Sequence, residues 1–174
     1  MKRIFFILVA LIGMATSVHA QRYCYVDSQY ILDNIPEYKT AQAELDRLSI
    51  EWQNEVEAKF KKVEKRRQEF QAEAILLPEE IKRQREKEIA DLEAAAIALQ
   101  SRYFGVGGEL FNKRTELIQP IQDRIFQAIQ DVAKEKKYAF VFDKANQSNL
   151  LFADPKYNIS DLVLRKMGIT VKKK

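Results

Sequence analysis

The sequence predicts a mainly α-helical protein in which a long antiparallel helical hairpin projects from a small strand-containing body. Apolar residues recur every three or four positions through most of residues 37–119, which is the period of a coiled coil. Short stretches of aromatic and β-branched residues near both ends of the chain are typical of strands. Evenly spaced prolines at Pro36, Pro78 and Pro120 indicate where helices begin or bend.

Residues 1–20 have the pattern of a secretory signal peptide. Lys2 and Arg3 precede a short apolar run, and the segment ends in Val-His-Ala. The run is shorter than the roughly 20 apolar residues that a membrane-spanning helix needs. We therefore predict export of the protein, with cleavage after Ala20.

Composition excludes several classes of function. Without residues 1–20 the chain has 27 Lys and Arg against 25 Asp and Glu, a balance that argues against nucleic-acid binding. Its only histidine, His19, lies within the predicted signal peptide, so histidine-based catalysis and the common zinc sites are excluded. We predict no catalytic, metal or cofactor-binding residue and no enzymatic activity. For the lone Cys24, a buried strand residue is favoured over a reactive thiol.

The body is predicted from residues 21–36 and 120–174. Its core is thin, which favours self-association of several chains. The predicted elements are strands at about 22–27, 138–143 and 149–153, with 144–149 as a hairpin connection, and a helix at about 160–167 capped by Ser160 and stopped by Gly168. The candidate oligomerisation residues are Tyr23, Tyr25, Phe140, Phe142 and Leu151. Asp27 and Asp143, at strand ends, are interpreted as caps or turn formers rather than as a catalytic pair.

The arm is predicted over residues 37–119, with its tip near 77–80. Folding about Pro78 pairs position n with roughly 156 − n. We call the predicted contact stripe the seam. It comprises Tyr38, Ala41, Leu45, Leu48, Trp52, Val56, Phe60, Val63, Phe70, Ala74 and Leu77 on the outgoing helix and Ile81, Ile89, Leu92, Ala96, Leu99, Tyr103, Val106, Leu110 and Leu117 on the return.

Several short segments of the sequence match a known family. These are YVDSQYILDNIPEY near residue 25, LLPEE at the tip, YFGVGGELFNKRTELIQPIQDRIF on the return, and LLFADPKYNISD near the end. Together they resemble the OmpH/Skp family of periplasmic chaperones over essentially the whole mature chain. The resemblance implies a jellyfish-like homotrimer in the periplasm, whose arms enclose a cavity that holds unfolded outer-membrane β-barrel proteins without ATP. Family members have been linked to lipopolysaccharide, so anionic lipid or lipopolysaccharide is a further implied partner, with no residues assigned. The alternative interpretation is an exported coiled-coil scaffold or spacer.

Apolar residues outside the seam are candidates for binding clients. Ile97, Phe104, Phe111 and Ile118 recur every seven residues, and the tip carries more apolar side chains than one turn can bury. Packing within the protein is the alternative, and it is favoured for Ile118. The candidate client-binding residues are Ile75, Leu76, Leu77, Ile81, Ile97, Phe104 and Phe111.

Gly105, Gly107 and Gly108 lie in the returning helix. A phosphate-binding loop is disfavoured, because no strand precedes the glycines and no Gly-Lys-Ser/Thr follows them. The seam spacing predicts a helix that is continuous there or nearly so. The glycines are interpreted either as a hinge or as room for Trp52. The basic runs 59–67 and 81–88 are interpreted as solvated faces, with steering of acidic clients or anionic lipid as the alternative.

Overall fold

The computed structural model describes residues 22–145 and 150–171 of the chain. The predicted signal peptide and most of the predicted 144–149 connection lie outside the described residues. In chain order the elements are β1 (Tyr23–Val26), α1 (Ser28–Asp33), α2 (Pro36–Glu73), α3 (Glu79–Phe104), α4 (Glu109–Lys136), β2 (Phe140–Asp143), a 3-10 turn (Pro155–Tyr157) and α5 (Ser160–Lys166). The predicted mainly helical fold, with long helices and a small sheet, is confirmed.

The described chain divides into two compact units. We call Ile35–Arg124 the arm unit, and the described residues before and after it the body unit. The arm unit holds α2, α3 and the first part of α4. The body unit holds both strands, α1, the last part of α4 and α5.

The body sheet has two parallel strands, β1 and β2, with Tyr23 opposite Phe140 and Val26 opposite Asp143. The predicted third strand at 149–153 is wrong for its described part, because 150–153 form no strand. Instead the Ile159 N–H donates to the Tyr25 carbonyl at 2.9 Å, beside an isolated bridge between Tyr25 and Asn158. Leu151 is 96% exposed, so this apolar run has no facing layer that would stabilise it as a strand.

Residues at the ends of β1 and β2 tie the body helices to the sheet. Asp27 caps α1 by accepting the Tyr30 N–H at 3.0 Å. Asp143 accepts the Ser28 N–H at 3.1 Å and the Ser28 hydroxyl at 2.7 Å. The interpretation of both aspartates as caps or turn formers is therefore confirmed. Helices α1 and α5 pack together over the fully buried Ile31, Ile159, Val163 and Leu164.

Helix α5 begins at the predicted Ser160 and ends at Lys166, one residue before the predicted end, but its first residue has a different role. Ser160 does not cap the helix; its buried hydroxyl accepts the Asp27 N–H at 2.9 Å. The Ser160 N–H in turn donates to Asn158 Oδ1 at 2.9 Å. Gly168 ends the helix as predicted, with φ of +79° and N–H bonds from Gly168 and Ile169 back to Arg165 and Leu164, a Schellman arrangement.

The arm helices start where the prolines indicate. Pro36 lies in the first turn of α2, and Pro78 immediately precedes α3. Every seam residue predicted on the outgoing side of the hairpin, from Tyr38 to Leu77, is buried or half-buried. Pro120 lies inside α4, and the kink predicted there stays a prediction.

The glycine segment departs from the sequence prediction. Helix α3 ends at Phe104 and α4 begins at Glu109, so the helix is interrupted rather than continuous. Val106, predicted in the seam, is fully exposed. We call residues 105–108 the glycine break.

Replacing Ser160 by alanine tests the junction between β1 and α5. The change leaves the Asp27 N–H without its acceptor, which we expect to cost about 1–3 kcal/mol in the free energy of unfolding. Urea unfolding and amide exchange at Asp27 measure the effect. Ser101→Ala, at an exposed helix position, is the matched control and should change stability little. Unaltered exchange at Asp27 in Ser160→Ala would contradict this assignment.

Candidate functional site

The seam of the arm unit is narrow. Its buried residues include Ala41, Leu45, Val56, Val63 and Ala96, most of them small. Between Val63 and Ala96 no hydrophobic side chain is buried. Two long helices that pack only on each other bury one stripe each, so apolar side chains outside that stripe stay in contact with water.

Ion pairs connect α2 and α3 where apolar burial is weakest. Arg66 Nε lies 3.6 Å from Glu88 Oε1, and Arg67 Nη2 lies 3.2 Å from Glu93 Oε2. These side chains are partly exposed, so each pair contributes little to stability. Their geometric effect is to match arginines in or near the seam with carboxylates of the facing helix.

The predicted row beside the seam is largely exposed. Ile97, Phe104 and Phe111 are exposed, and Phe111 has 61% of its surface accessible. Ile118, for which packing is favoured in the sequence, is buried. The row therefore offers apolar surface at three of its four positions.

The tip exposes still more apolar surface. Ile75 and Leu76, in the turn between α2 and α3, are 92% and 86% exposed. Ile81 is also exposed, and Leu77 is half-buried. Packing within the protein, the alternative interpretation for the tip, is therefore wrong for Ile75 and Leu76, which contact almost nothing.

Charge on the outer arm is balanced. Residues 57–93, a range that includes the basic runs 59–67 and 81–88, contain ten basic and ten acidic side chains. Many form exposed ion pairs along one helix, such as Lys61 with Glu57 at 2.7 Å and Arg85 with Glu88 at 3.2 Å. This arrangement matches solvated faces better than a site for an anionic ligand.

The glycine break is set by its own backbone. A Cβ on Gly105 would overlap the Ser101 carbonyl oxygen, and one on Gly108 would lie 2.8 Å from the Arg102 carbonyl oxygen. Gly107 has φ of +72°, a conformation that L side chains rarely adopt. The nearest atoms are thus backbone atoms of the same segment rather than the Trp52 indole. These contacts account for Gly105 and Gly108, and the positive φ accounts for Gly107.

Aromatic and charged contacts flank the break. The Trp52 indole stacks on the Tyr103 ring at 4.8 Å, close to the partner predicted by the 156 − n pairing. The Tyr103 hydroxyl donates to Glu55 Oε2 at 2.8 Å, and this hydrogen bond, followed by burial and the negative charge, raises the pKa of Tyr103. Arg102 Nε donates to Glu109 Oε1 at 2.6 Å, which joins the end of α3 to the start of α4.

The described part of the chain contains no group of His, Cys, Asp and Glu that could hold a metal ion. Cys24 is buried, and its thiol donates to the Phe140 carbonyl at 3.6 Å. Burial raises the pKa of Cys24 to about 11, so the thiol stays protonated at neutral pH. This agrees with the favoured interpretation of Cys24 as a buried strand residue. Over residues 22–145 and 150–171, none of the helices has the length and apolar character needed to cross a bilayer.

The body unit carries its own exposed aromatic surface. Tyr23 and Phe140 stack at 5.9 Å on one face of the sheet, and both are exposed, as are Phe142 and Leu151. Tyr25 is 7% exposed and therefore contributes to the core of its own chain rather than to this surface. Half of the residues that line an open groove of about 670 Å³ beside the sheet are aromatic. Its aromatic lining residues are Tyr23, Tyr25, Tyr138, Phe142, Phe152 and Tyr157.

The exposure of several apolar residues was not predicted from the sequence. Val106 is missed because it matches the seam spacing, and Phe126 and Phe152 because they lie in segments predicted to pack in the body. The presence of three glycines within four residues was the signal for Val106, since a helix interrupted there turns the intervening side chain outward.

Comparison with known proteins agrees with this architecture. The family model for outer membrane protein (OmpH-like) matches residues 22–167. An uncharacterized protein of Aquifex aeolicus (strain VF5) is 27% identical over 167 residues, which are 96% of each chain. The crystal structure of a candidate outer membrane chaperone (OmpH-like) from Caulobacter crescentus CB15 has a TM-score of 0.66 at 13% identity, covering 88% of this chain and 89% of that one.

These matches define a class of helical, non-enzymatic chaperones. The chain belongs to the OmpH-like family. Chaperones of this family are periplasmic and bind outer-membrane proteins in general. The resemblance noted in the sequence is therefore confirmed.

Substitution of Gly105 by alanine should disturb the glycine break. The added Cβ overlaps the Ser101 carbonyl, so we expect a loss of about 1–3 kcal/mol in the free energy of unfolding. The Trp52–Tyr103 stack should loosen, and emission from Trp52, the only tryptophan, measures this. The control is Gly107→Asn, because space is open at Gly107 and asparagine tolerates positive φ. Equal effects of the two substitutions would contradict the backbone account.

Proposed function

We propose that this protein is a periplasmic, ATP-independent holdase that binds unfolded outer-membrane β-barrel proteins and prevents their aggregation during transit. Family membership supports the chaperone class. The observation that supports holding in particular is the exposed apolar surface of the arm unit, formed by the row Ile97, Phe104 and Phe111 and by the tip.

The chemistry of this surface suits transient binding of unfolded chains. Large apolar side chains supply affinity through burial, at roughly 25 cal/mol per Å² removed from water. They are separated by charged residues of both signs, which keep the surface soluble and limit each contact to a small apolar area. Binding through many weak contacts gives low specificity and allows release without an energy source.

Self-association is the second part of the proposal. The exposed Tyr23, Phe140, Phe142 and Leu151 of the body unit supply an apolar contact surface, and the family resemblance implies a homotrimer. In such an assembly several arms would surround one client, and local binding at one arm would raise the effective concentration at the others. Phe152, which is also exposed, extends the same surface.

The glycine break is proposed as a hinge of the arm. It interrupts a long helix with four residues whose conformation depends on glycine, while the Trp52–Tyr103 stack and the Arg102–Glu109 pair hold one orientation. Bending there would let the arm adapt to clients of different size. We do not extend the proposal to anionic lipid or lipopolysaccharide, since the outer arm has no excess of basic charge.

The triple substitution Ile97→Ser, Phe104→Ser and Phe111→Ser tests the holdase. A urea-unfolded outer-membrane barrel is diluted into buffer with the mature protein, and aggregation is followed by light scattering. The substitutions remove three apolar contacts that would become partly buried when a client binds, which should weaken protection by about 10- to 100-fold. Because Phe104 packs edge-on against the Tyr103 ring at 6.3 Å, urea unfolding of the variant is measured alongside to confirm that it remains folded.

The matched control replaces three exposed glutamines of the arm unit, Gln53, Gln100 and Gln122, by serine. Protection should be unchanged. If the unsubstituted protein leaves aggregation of the barrel unaltered, the holdase proposal fails and the scaffold interpretation gains support.

A further inference from the structure

The segment Glu73–Glu80, which we call the tip segment, combines exposed apolar and acidic side chains. Its sequence is EAILLPEE, with three carboxylates and no basic residue. Ile75 and Leu76 are almost fully exposed, and each carboxylate lies within four residues of one of them. Exposed apolar side chains that coincide with a single sign of charge form a chemically selective surface.

Helix stability explains only part of this acidic charge. Glu79 and Glu80 lie in the first turn of α3, where the helix dipole favours carboxylates. Glu73 is the last residue of α2, where the dipole disfavours a carboxylate, and the last turn of α2 contains no basic residue. Glu73 forms no ion pair with a described residue. Its position is unfavourable for α2, and the two arginines that line the same small cleft, Arg66 and Arg85, form their ion pairs with Glu69 and Glu88.

Most basic residues close to the tip segment are engaged. Lys82 Nζ lies 3.6 Å from Glu79 Oε2, and Arg66 pairs with Glu69 at 3.0 Å. Arg67 pairs with Glu93 on the facing helix. Arg83 lies one turn beyond the segment and is exposed, with no ion pair among the described residues. Lys82 and Arg83 therefore offset part of the acidic charge, and Glu73 and Glu80 are the carboxylates of the tip segment that have no ion-pair partner among the described residues.

We propose that the tip segment binds unfolded polypeptide segments in which an apolar run is flanked by lysine or arginine. Ile75 and Leu76 contact the apolar run, while Glu73, Glu79 and Glu80 attract its basic flanks. Apolar contact supplies the affinity, and the carboxylates supply the selection and the rate of encounter. This inference rests on the proposed holdase function and specifies the chemistry of the clients at one end of the arm.

The same charge disfavours a membrane as the partner of the tip segment. An anionic lipid surface attracts Lys and Arg and repels carboxylates. An apolar turn surrounded by three glutamates therefore matches a basic polypeptide better than a phosphate-rich bilayer. Vesicles of anionic phospholipid are accordingly included as a second probe.

Two fluorescent peptides with the same apolar core, one flanked by lysines and the other by glutamates, test the proposal. Anisotropy titrations with the full mature protein should give roughly fivefold tighter binding of the lysine-flanked peptide at low salt. The difference should largely vanish at about 0.5 M salt, where screening is strong. Sedimentation with anionic vesicles should recover none of the protein.

Variants locate the effect at the tip segment. Glu73→Gln with Glu79→Gln and Glu80→Gln should abolish the preference between peptides while leaving protection of a barrel client intact. Ile75→Ser with Leu76→Ser should weaken binding of both peptides. The control, Glu86→Gln with Asp91→Asn and Asp123→Asn, removes three exposed carboxylates outside the tip segment and should keep the preference.

The inference is overturned if the unsubstituted protein binds both peptides equally, if the control variant loses the preference as fully as the tip variant, or if the protein binds anionic vesicles through the tip segment. Each of these results leaves the holdase proposal standing if aggregation of the barrel is still suppressed. Failure to suppress aggregation, by contrast, removes the holdase proposal itself.

Discussion

The arm unit depends on one constraint, which is that two paired helices bury only one narrow stripe of each. The stripe runs from Ala41 to Val63 and includes Ala96 and Tyr103 on the return, but in the described part of the chain no third layer covers the opposite faces. Of the predicted row outside the stripe, Ile118 is buried, whereas Ile97, Phe104 and Phe111 remain in contact with water. In an ordinary compact domain such residues are an aggregation hazard, whereas in a chaperone they form the binding surface.

The same constraint explains how the arm is kept in register where packing is thin. Beyond Val63 the helices rely on half-buried residues and on arginines matched to carboxylates across the pair, as in Arg67 with Glu93. Such pairs add little stability but penalise a shifted register, since a shift would leave charges next to apolar groups. The weakly packed outer part can therefore remain ordered while it exposes Ile75 and Leu76.

Local patterns in the sequence predicted the features that depend on interactions between residues close together in the chain. The three-and-four spacing identified the seam, and Pro36 and Pro78 located the helix starts, because both signals act within one turn of chain. The glycine break was not predicted, since Tyr103, Val106 and Leu110 keep the seam spacing while backbone preferences of glycine interrupt the helix. The parallel pairing of β1 with β2 could not be predicted from local patterns, because it joins residues far apart in the chain. The apolar run at Leu151 has the composition of a buried strand, but the structure leaves it exposed without a facing layer. Exposure of the candidate row was foreseen, but its binding role stays a proposal.

Site-specific photo-crosslinking tests the central claim that exposed apolar side chains of the arm unit contact the client. A benzophenone amino acid is placed at Phe111 or Leu76, and, as matched controls, at the exposed polar Gln53 or Gln100. With an unfolded outer-membrane barrel present, strong crosslinks are expected from the two apolar positions and weak ones from the two glutamines. Equal crosslinking from all four positions, or none from Phe111 and Leu76, would contradict the account.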